Sequence, residues 1–266
     1  MQEERQTIIQ ELTKNLYDLE KWPHYSLLFE DIVEVIETIN QKDKIALLER
    51  CYIYDGFSIF SSLFDKGELD IFNYIPPNSN KKNRQNSQLD KLEFLPKTKK
   101  KIKKSQYLIN FKNCNHVFSS RNKYDYILIP NVLHHHPNPF ELFQICNSAL
   151  NEKGRLYIFD ATLRENHQQP DDFLRFTADG ISFALEKNGF EIIEINSSKS
   201  PLESLIYTID QVIQYDLPKE LLKEINHLNK TIKNKYNYAL QSNYENKVRK
   251  YTSFPIAYSV LAQKIV

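Results

Sequence analysis

The sequence predicts an α/β domain built on a parallel sheet. Three observations carry this. First, Tyr124–Pro130 (YDYILIP) is a near-continuous apolar run, as expected of a strand covered on both faces. Second, residues 139–150 put Leu142, Phe143, Cys146 and Leu150 on one helical face, and a second apolar run, Arg155–Ala161, follows. Third, another helical pattern and a third run, Phe190–Ile195, repeat the alternation. Strand, helix, strand, helix, strand calls for right-handed crossovers between parallel strands.

The remaining elements follow in chain order. Residues 3–20 carry Ile8, Ile9, Leu12, Leu16 and Leu19 at helical spacing, and Trp22-Pro23 ends that pattern. Residues 25–40 repeat it with Leu27, Leu28, Ile32, Val35, Ile36 and Ile39. Residues 44–64 are apolar and aromatic and read as a third helix, with Tyr52, Tyr54, Phe57, Phe60 and Phe64 packing it. Residues 1–65 are therefore expected to form an N-terminal helical extension, and 66–266 the α/β domain. Gly67 precedes Glu68–Tyr74, read as the first strand, with Pro76-Pro77 in the loop after it. Residues 78–104 are polar and end in KTKKKIKK, a basic patch or a solvated face; Tyr107–Phe111 is the next expected strand.

Gly154 is expected to cap the helix over 139–150. Asp171-Asp172 is read as opening the next helix, where carboxylates suit the N-terminal dipole, and Gly189 as ending it. Residues 200–250 are polar and helical, divided by Pro218. They fit a lid, a homodimer surface or a solvated bundle. Pro255–Ala262 reads as a closing strand.

Composition removes several function classes. The 266 residues hold only five glycines, where average usage of roughly 7% would give about 18. They are Gly56, Gly67, Gly154, Gly180 and Gly189, too far apart for a phosphate loop or a GxGxxG turn. A net charge of +1 gives no global attraction to nucleic acid or to a membrane surface. Nucleic-acid binding through 81–104 would need aromatic platforms, and only Phe94 and Tyr107 stand near. Cys51, Cys114 and Cys146 match no zinc or disulfide spacing, which points to a reduced, cytoplasmic protein without a metal site. No apolar run approaches the ~20 residues of a membrane-spanning helix.

In open α/β sheets ligands bind beyond the carboxyl ends of the strands. Asp70 and Asn73 stand at the end of the expected first strand, and Pro130, Asn131 and His134-His135-His136 follow the next. After Arg155–Ala161 come Arg164, Glu165, His167, Asp171, Asp172 and Arg175. Adjacent histidines rarely converge on a metal. Asp172 and Arg175, three apart, would share one helix face. Polar and ionisable groups thus gather at one edge.

At these positions the sequence resembles the class I S-adenosylmethionine-dependent methyltransferases. YDYILIPNVLHHHPNP (124–139) resembles the family's fourth strand and the "vleH…dP" loop after it. NSALNEKGRLYIFDA (147–161) resembles "rvLkpGGrlyi", and HQQPDDFLRFTADGISFALEKNGFEIIEI (167–195) the "H-x-x-P-D-x-x-R-F-T-x-x-G" run. The closing strand resembles the family's seventh, antiparallel one. The match covers roughly 66–195 and 254–265. The chain is a divergent member by this likeness: the first motif, a strand ending in an acidic residue and a Gly-rich loop of the type vLDiGcGxG, is reduced to Leu69-Asp70-Ile71 followed by FNYIPPN.

The resemblance implies a Rossmann-like seven-stranded, mostly parallel sheet with a helical insertion before the last strand. It implies methyl transfer from S-adenosylmethionine to a small-molecule acceptor. His135 or His167 would be the base that takes the acceptor's proton. Asp70, Asn73, Pro130 and Asn131 would lie against the cofactor, and Asp172 and Arg175 would position substrate. The altered first motif motivates an alternative, a catalytically inactive binding or scaffold protein of the same ancestry.

Overall fold

The computed structural model describes residues 24–49, 60–74, 103–109, 118, 123–166, 171–197, 201–241 and 254–266. The expected helix over 3–20, the Lys-rich stretch up to 102, Tyr52, Tyr54, Phe57 and His167 lie outside them.

Helix α1 (His24–Glu37) opens the described fold. Its Leu28, Ile32, Val35 and Ile36 are buried, one apolar stripe at helical spacing. Strand β1 (Lys44–Glu49) follows, then β2 (Glu68–Tyr74), β3 (Lys103–Ile109) and β4 (Tyr124–Pro130). Helix α2 (Pro139–Ala149) leads into β5 (Leu150–Ala161), and α3 (Ala178–Glu186) into β6 (Phe190–Ser197). Helices α4 (Pro201–Val212) and α5 (Lys219–Gln241) precede β7 (Ala257–Lys264).

The seven strands form one sheet in the order β3-β2-β1-β4-β5-β7-β6. The pairs among β1 to β5 are parallel, and β7 lies antiparallel between β5 and β6. The fold class expected from the sequence is therefore the one observed: an α/β Rossmann-like sheet with a helical insertion ahead of its last strand.

The strands divide two cores by alternation. Ile127, Ile129, Leu156 and Ile158 face one core, with Leu142, Phe143 and Cys146 of α2 and Ile181, Ala184 and Leu185 of α3. Leu128, Tyr157 and Phe159 face the other, with α1. Phe72 belongs to the first core, stacked on Phe118 with ring centroids 4.3 Å apart, so it does not stand in a cleft.

Several expectations are corrected. Residues 44–49 are not helical: they form β1, in the middle of the sheet, so the helical extension does not run to 65. A 3-10 turn, Phe60–Leu63, is the next described element, and Phe60 and Phe64 are buried against the α1 side. Glu68–Tyr74 is consequently the second strand. Gly154 caps no helix; it lies inside β5, because buried Leu150 already has extended geometry (ψ 145°). Asp171-Asp172 opens no helix. Thr177 is the N-cap, its hydroxyl accepting the Gly180 N–H at 3.0 Å, and residues 171–177 are irregular chain tied elsewhere. Gly189 does end α3, at φ 79°, the left-handed region that glycine tolerates best.

Candidate active site

The order of strands reverses between β1 and β4, so their carboxyl ends flank the switch point where such sheets bind ligands. The residues that end these strands can be read from the register. Glu49 ends β1 and sits beside Asn73 of β2. Pro130 ends β4 and sits beside Phe159 of β5. Asp160 comes one position later.

The acidic residue that closes the first strand is thus Glu49, in Leu47-Leu48-Glu49, and not Asp70. Asp70 lies mid-strand, level with Ala46 and, through β1, with Ile127. That is about 10 Å short of the carboxyl edge at ~3.3 Å per residue. Its carboxylate accepts the Tyr124 hydroxyl at 2.8 Å. Its expected place at a strand end is corrected.

Asn73, in contrast, is at the edge. It is buried, and its Oδ1 has no hydrogen-bond partner among the described residues. Glu49 is 2% exposed; its Oε1 accepts the Phe60 N–H at 3.5 Å. Alternation along the strands, in step with Ile45, Leu47, Leu69 and Ile71, places both on the α1 side of the sheet, opposite Phe72 and Tyr74. A buried carboxylate and an unsatisfied amide oxygen stand side by side there, and a buried acceptor left unpaired costs free energy unless something supplies a donor.

After β4 the chain makes a tight turn. Asn131 adopts φ 57°, and its N–H donates to the Phe159 carbonyl at 2.7 Å. A 3-10 turn follows, Leu133–His135, and all three histidines of 134–136 are buried. Each is held differently. The His134 N–H donates to Asp160 Oδ2 at 2.8 Å, and its Nδ1 lies 2.5 Å from Oδ1 of the same carboxyl. Burial pushes the Asp160 carboxyl up to about 7, against the opposing pull of the Ala161 and His134 N–H groups and of Arg175 and Arg164. This buried pair therefore carries its proton near neutral pH.

His135 donates from Nδ1 to the Asp171 carbonyl. A carbonyl only accepts, so Nδ1 carries the hydrogen and Nε2 is the basic nitrogen of the neutral ring. His136 has the opposite tautomer. Its Nδ1 accepts the Asn138 N–H at 3.2 Å, which leaves the hydrogen on Nε2. That nitrogen is buried with no partner among the described residues, and burial pushes the ring down to about 4.

Two segments clamp this turn. The Tyr74 hydroxyl donates to the His135 carbonyl at 2.9 Å, crossing from the end of β2. From the other side the Phe173 N–H donates to the His134 carbonyl at 2.9 Å. This docking is why 171–177 does not coil into α3. Within the strap Arg175 grips Asp172 with two bonds, 2.5 and 2.9 Å, and reaches the Leu174 carbonyl at 2.8 Å. The expected Asp172–Arg175 pair exists, on irregular chain rather than on a helix. Helix α4 closes over the region: the Tyr207 hydroxyl donates to Glu165, and Ser204 donates to the Phe254 carbonyl at 2.8 Å. Of the readings left open for 200–250, α4 is thus packed onto the edge.

The structure brings Asn73, Pro130, Asn131, His135, Asp172 and Arg175 to the same edge of the sheet. Sequence reasoning missed Glu49, and it placed His134, His136 and Asp160 at the strand ends without giving them a role. The signal for Asp160 was present: a carboxylate closing the run LYIFD, one strand away from a histidine loop. Among the described residues no three His, Cys, Asp or Glu side chains are grouped to hold a metal ion. No described helix is long and apolar enough to cross a membrane.

No protein-family model matches the chain, and no curated protein matches it. Solved structures do. The chain is similar to the O-methyltransferase of a trans-AT PKS multienzyme of Brevibacillus brevis, in complex with S-adenosyl-L-homocysteine. That pair has 19% identity, with 93% of this chain and 77% of that one covered, and a TM-score of 0.46. It is similar to Haemonchus contortus phosphoethanolamine N-methyltransferase 2, in complex with S-adenosyl-L-methionine (14% identity, 97% of this chain and 60% of that one, TM-score 0.47). It is also similar to the [4+2]-cyclase SpnF (11% identity, 90% and 81%, TM-score 0.47).

Proposed function

We propose that the protein transfers a methyl group from S-adenosylmethionine to a small-molecule acceptor. The observation that carries this reading is the pair at the switch point, Glu49 with Asn73, where a buried acceptor oxygen has no donor. The cofactor has what the pair lacks. Its ribose hydroxyls and its ammonium group are donors, and its positive charge suits a carboxylate. The resemblance of 124–161 and 167–195 to the methyltransferase family, and the antiparallel β7, support the same reading.

The Gly-rich first motif belongs, on this reading, after Glu49 and not after Tyr74. Asn73, at the end of β2, stands where the resembled family uses an acidic residue to hold the ribose. Pro130 and Asn131 line the neighbouring loop, and His136 Nε2–H is a second group in need of a partner. Bound S-adenosylmethionine supplies an electrophilic methyl on a sulfonium that departs as a neutral thioether, so no acid is required. What the chain must do is orient the acceptor and remove its proton. His135 is the base, through Nε2, with its tautomer set by the Asp171 carbonyl. His134 and Asp160 hold the turn that carries it. Asp172 and Arg175 position the acceptor, and His167 is the second candidate base.

Calorimetric titration with S-adenosylmethionine and S-adenosylhomocysteine tests this. Saturable binding weakened about tenfold or more by Asn73→Ala or Glu49→Gln is expected. His135→Gln should retain cofactor binding and lower turnover about 10²- to 10⁴-fold. Absence of both heat and thermal shift at millimolar cofactor overturns the reading and leaves the binding or scaffold protein.

A further inference from the structure

His135 is buried, 1% exposed, yet as the base of the proposed reaction it must end with a full positive charge. The acceptor's proton goes to Nε2, and the electron pair it leaves forms the bond to the methyl carbon. The pair of the broken carbon–sulfur bond neutralises the sulfonium. One unit of positive charge has thereby moved onto a ring shut away from water, which is costly unless an opposite charge faces it. The Asp171 carbonyl, which takes Nδ1–H, supplies a dipole and no charge.

The opposite charge stands behind His134. The His134 and His135 rings lie against each other, centroids 3.9 Å apart and planes tilted by 47°. The same His134 ring meets Asp160, Nδ1 to Oδ1 at 2.5 Å, and the His134 N–H donates to Oδ2 at 2.8 Å. The Ala161 N–H donates to Oδ1 at 2.8 Å and brings no charge. Tyr258 lies opposite Asp160 on β7; burial and Asp160 push its phenol well up, so it is a neutral hydroxyl. Arg175 in the strap and Arg164 after β5 also act on Asp160. Each of them already faces another carboxylate, Asp172 at 2.5 Å and Glu165 at 3.9 Å.

We infer that Asp160, acting through the His134 ring, is the counter-ion of the imidazolium that His135 becomes. Asp160 touches no reactant and is a positioning residue; the inference rests on His135 being the base. Burial holds the Asp160 carboxyl at about 7, so its pair with His134 is ready to lose a proton near neutral pH as His135 gains one. The three groups then titrate as one coupled set, holding one proton more readily than two.

The test is a pH titration of the full chain, carbon-13 labelled at histidine Cε1 and followed by NMR without cofactor or acceptor. His135→Gln and His134→Gln assign the two signals. In the unaltered protein the His135 signal should move in two steps, one of them shared with His134. Asp160→Asn, close in shape but without the charge, should leave one step and lower the proton affinity of His135 about tenfold or more. A merely structural Asp160 would lower stability on substitution and leave the His135 titration in place. A single His135 step in the unaltered protein overturns the inference, and that measurement needs no variant to fold. An unchanged or raised proton affinity in Asp160→Asn overturns it as well. Failure to bind S-adenosylmethionine sinks the methyltransferase reading and leaves this coupling readable. Intact cofactor binding with uncoupled histidines sinks the counter-ion alone.

Discussion

Asp160 and Tyr157 stand three residues apart on β5, both buried, and they are treated in opposite ways. Asp160 receives N–H groups from His134 and Ala161, and a histidine ring besides. The Tyr157 hydroxyl receives nothing among the described residues. A polar group enclosed with all its partners is part of the framework, since removing it strands those partners. One enclosed without partners contributes nothing to the framework.

The comparison can be broken most directly at Asp160. Asp160→Ala should cost about 3–5 kcal/mol in urea denaturation, because it strands a buried imidazole and two N–H groups. A loss under about 1 kcal/mol would mean that the network is not structural.

The next effect is one of pH. The Asp160 carboxyl is raised from 3.8 to about 7 in the folded state, so folding favours its protonated form. Its contribution to stability is present below about pH 4 and is lost as pH rises toward 7. Asp160→Asn should remove that slope from the stability-versus-pH curve. His136 gives the opposite sign. Its ring is lowered from 6.5 to about 4, so its contribution is lost as pH falls through that interval. His136→Gln should flatten the acid limb, and a steeper limb would contradict the buried, neutral ring.

Smaller effects sharpen the scale. Thr177 is a satisfied hydroxyl at an exposed cap; Thr177→Ala should cost about 1 kcal/mol by thermal melting. Tyr157→Phe removes a hydroxyl with no partner, so it should change stability by less than about 0.5 kcal/mol or raise it slightly. A larger loss would mean that the phenol already has a partner.

The half of the sheet from β4 onward was legible because its strands are long apolar runs separated by marked turns. Tyr124–Pro130 and Ala257–Lys264 stand close to where their patterns put them. β1 was not legible. Ile45-Ala46-Leu47-Leu48 is a four-residue apolar run without flanking glycine or proline, and periodicity cannot separate such a run from a buried helix. That single miss moved the expected first motif one strand along and put Asp70 in the place of Glu49.

The site shows the same division. His135 could be found from its place after a strand, and Asp172–Arg175 from their spacing. The His134–Asp160 pair depends on β4 and β5 lying side by side, and the His135 tautomer depends on a main-chain carbonyl 36 residues away. Neither leaves a local trace in the sequence.

The position of β7 has a consequence for biosynthesis. β6 pairs with β7 alone, and β7 is the only described strand that joins β6 to the rest of the sheet. While residues 257–264 are still inside the ribosome, β6 has no neighbour to bond, and the Tyr258, Val260 and Ala262 side chains are missing from the core that α2 and α3 cover. The nascent chain must therefore wait with an open flank at β5, and a stall shortly before residue 257 would hold that sticky edge in front of other chains.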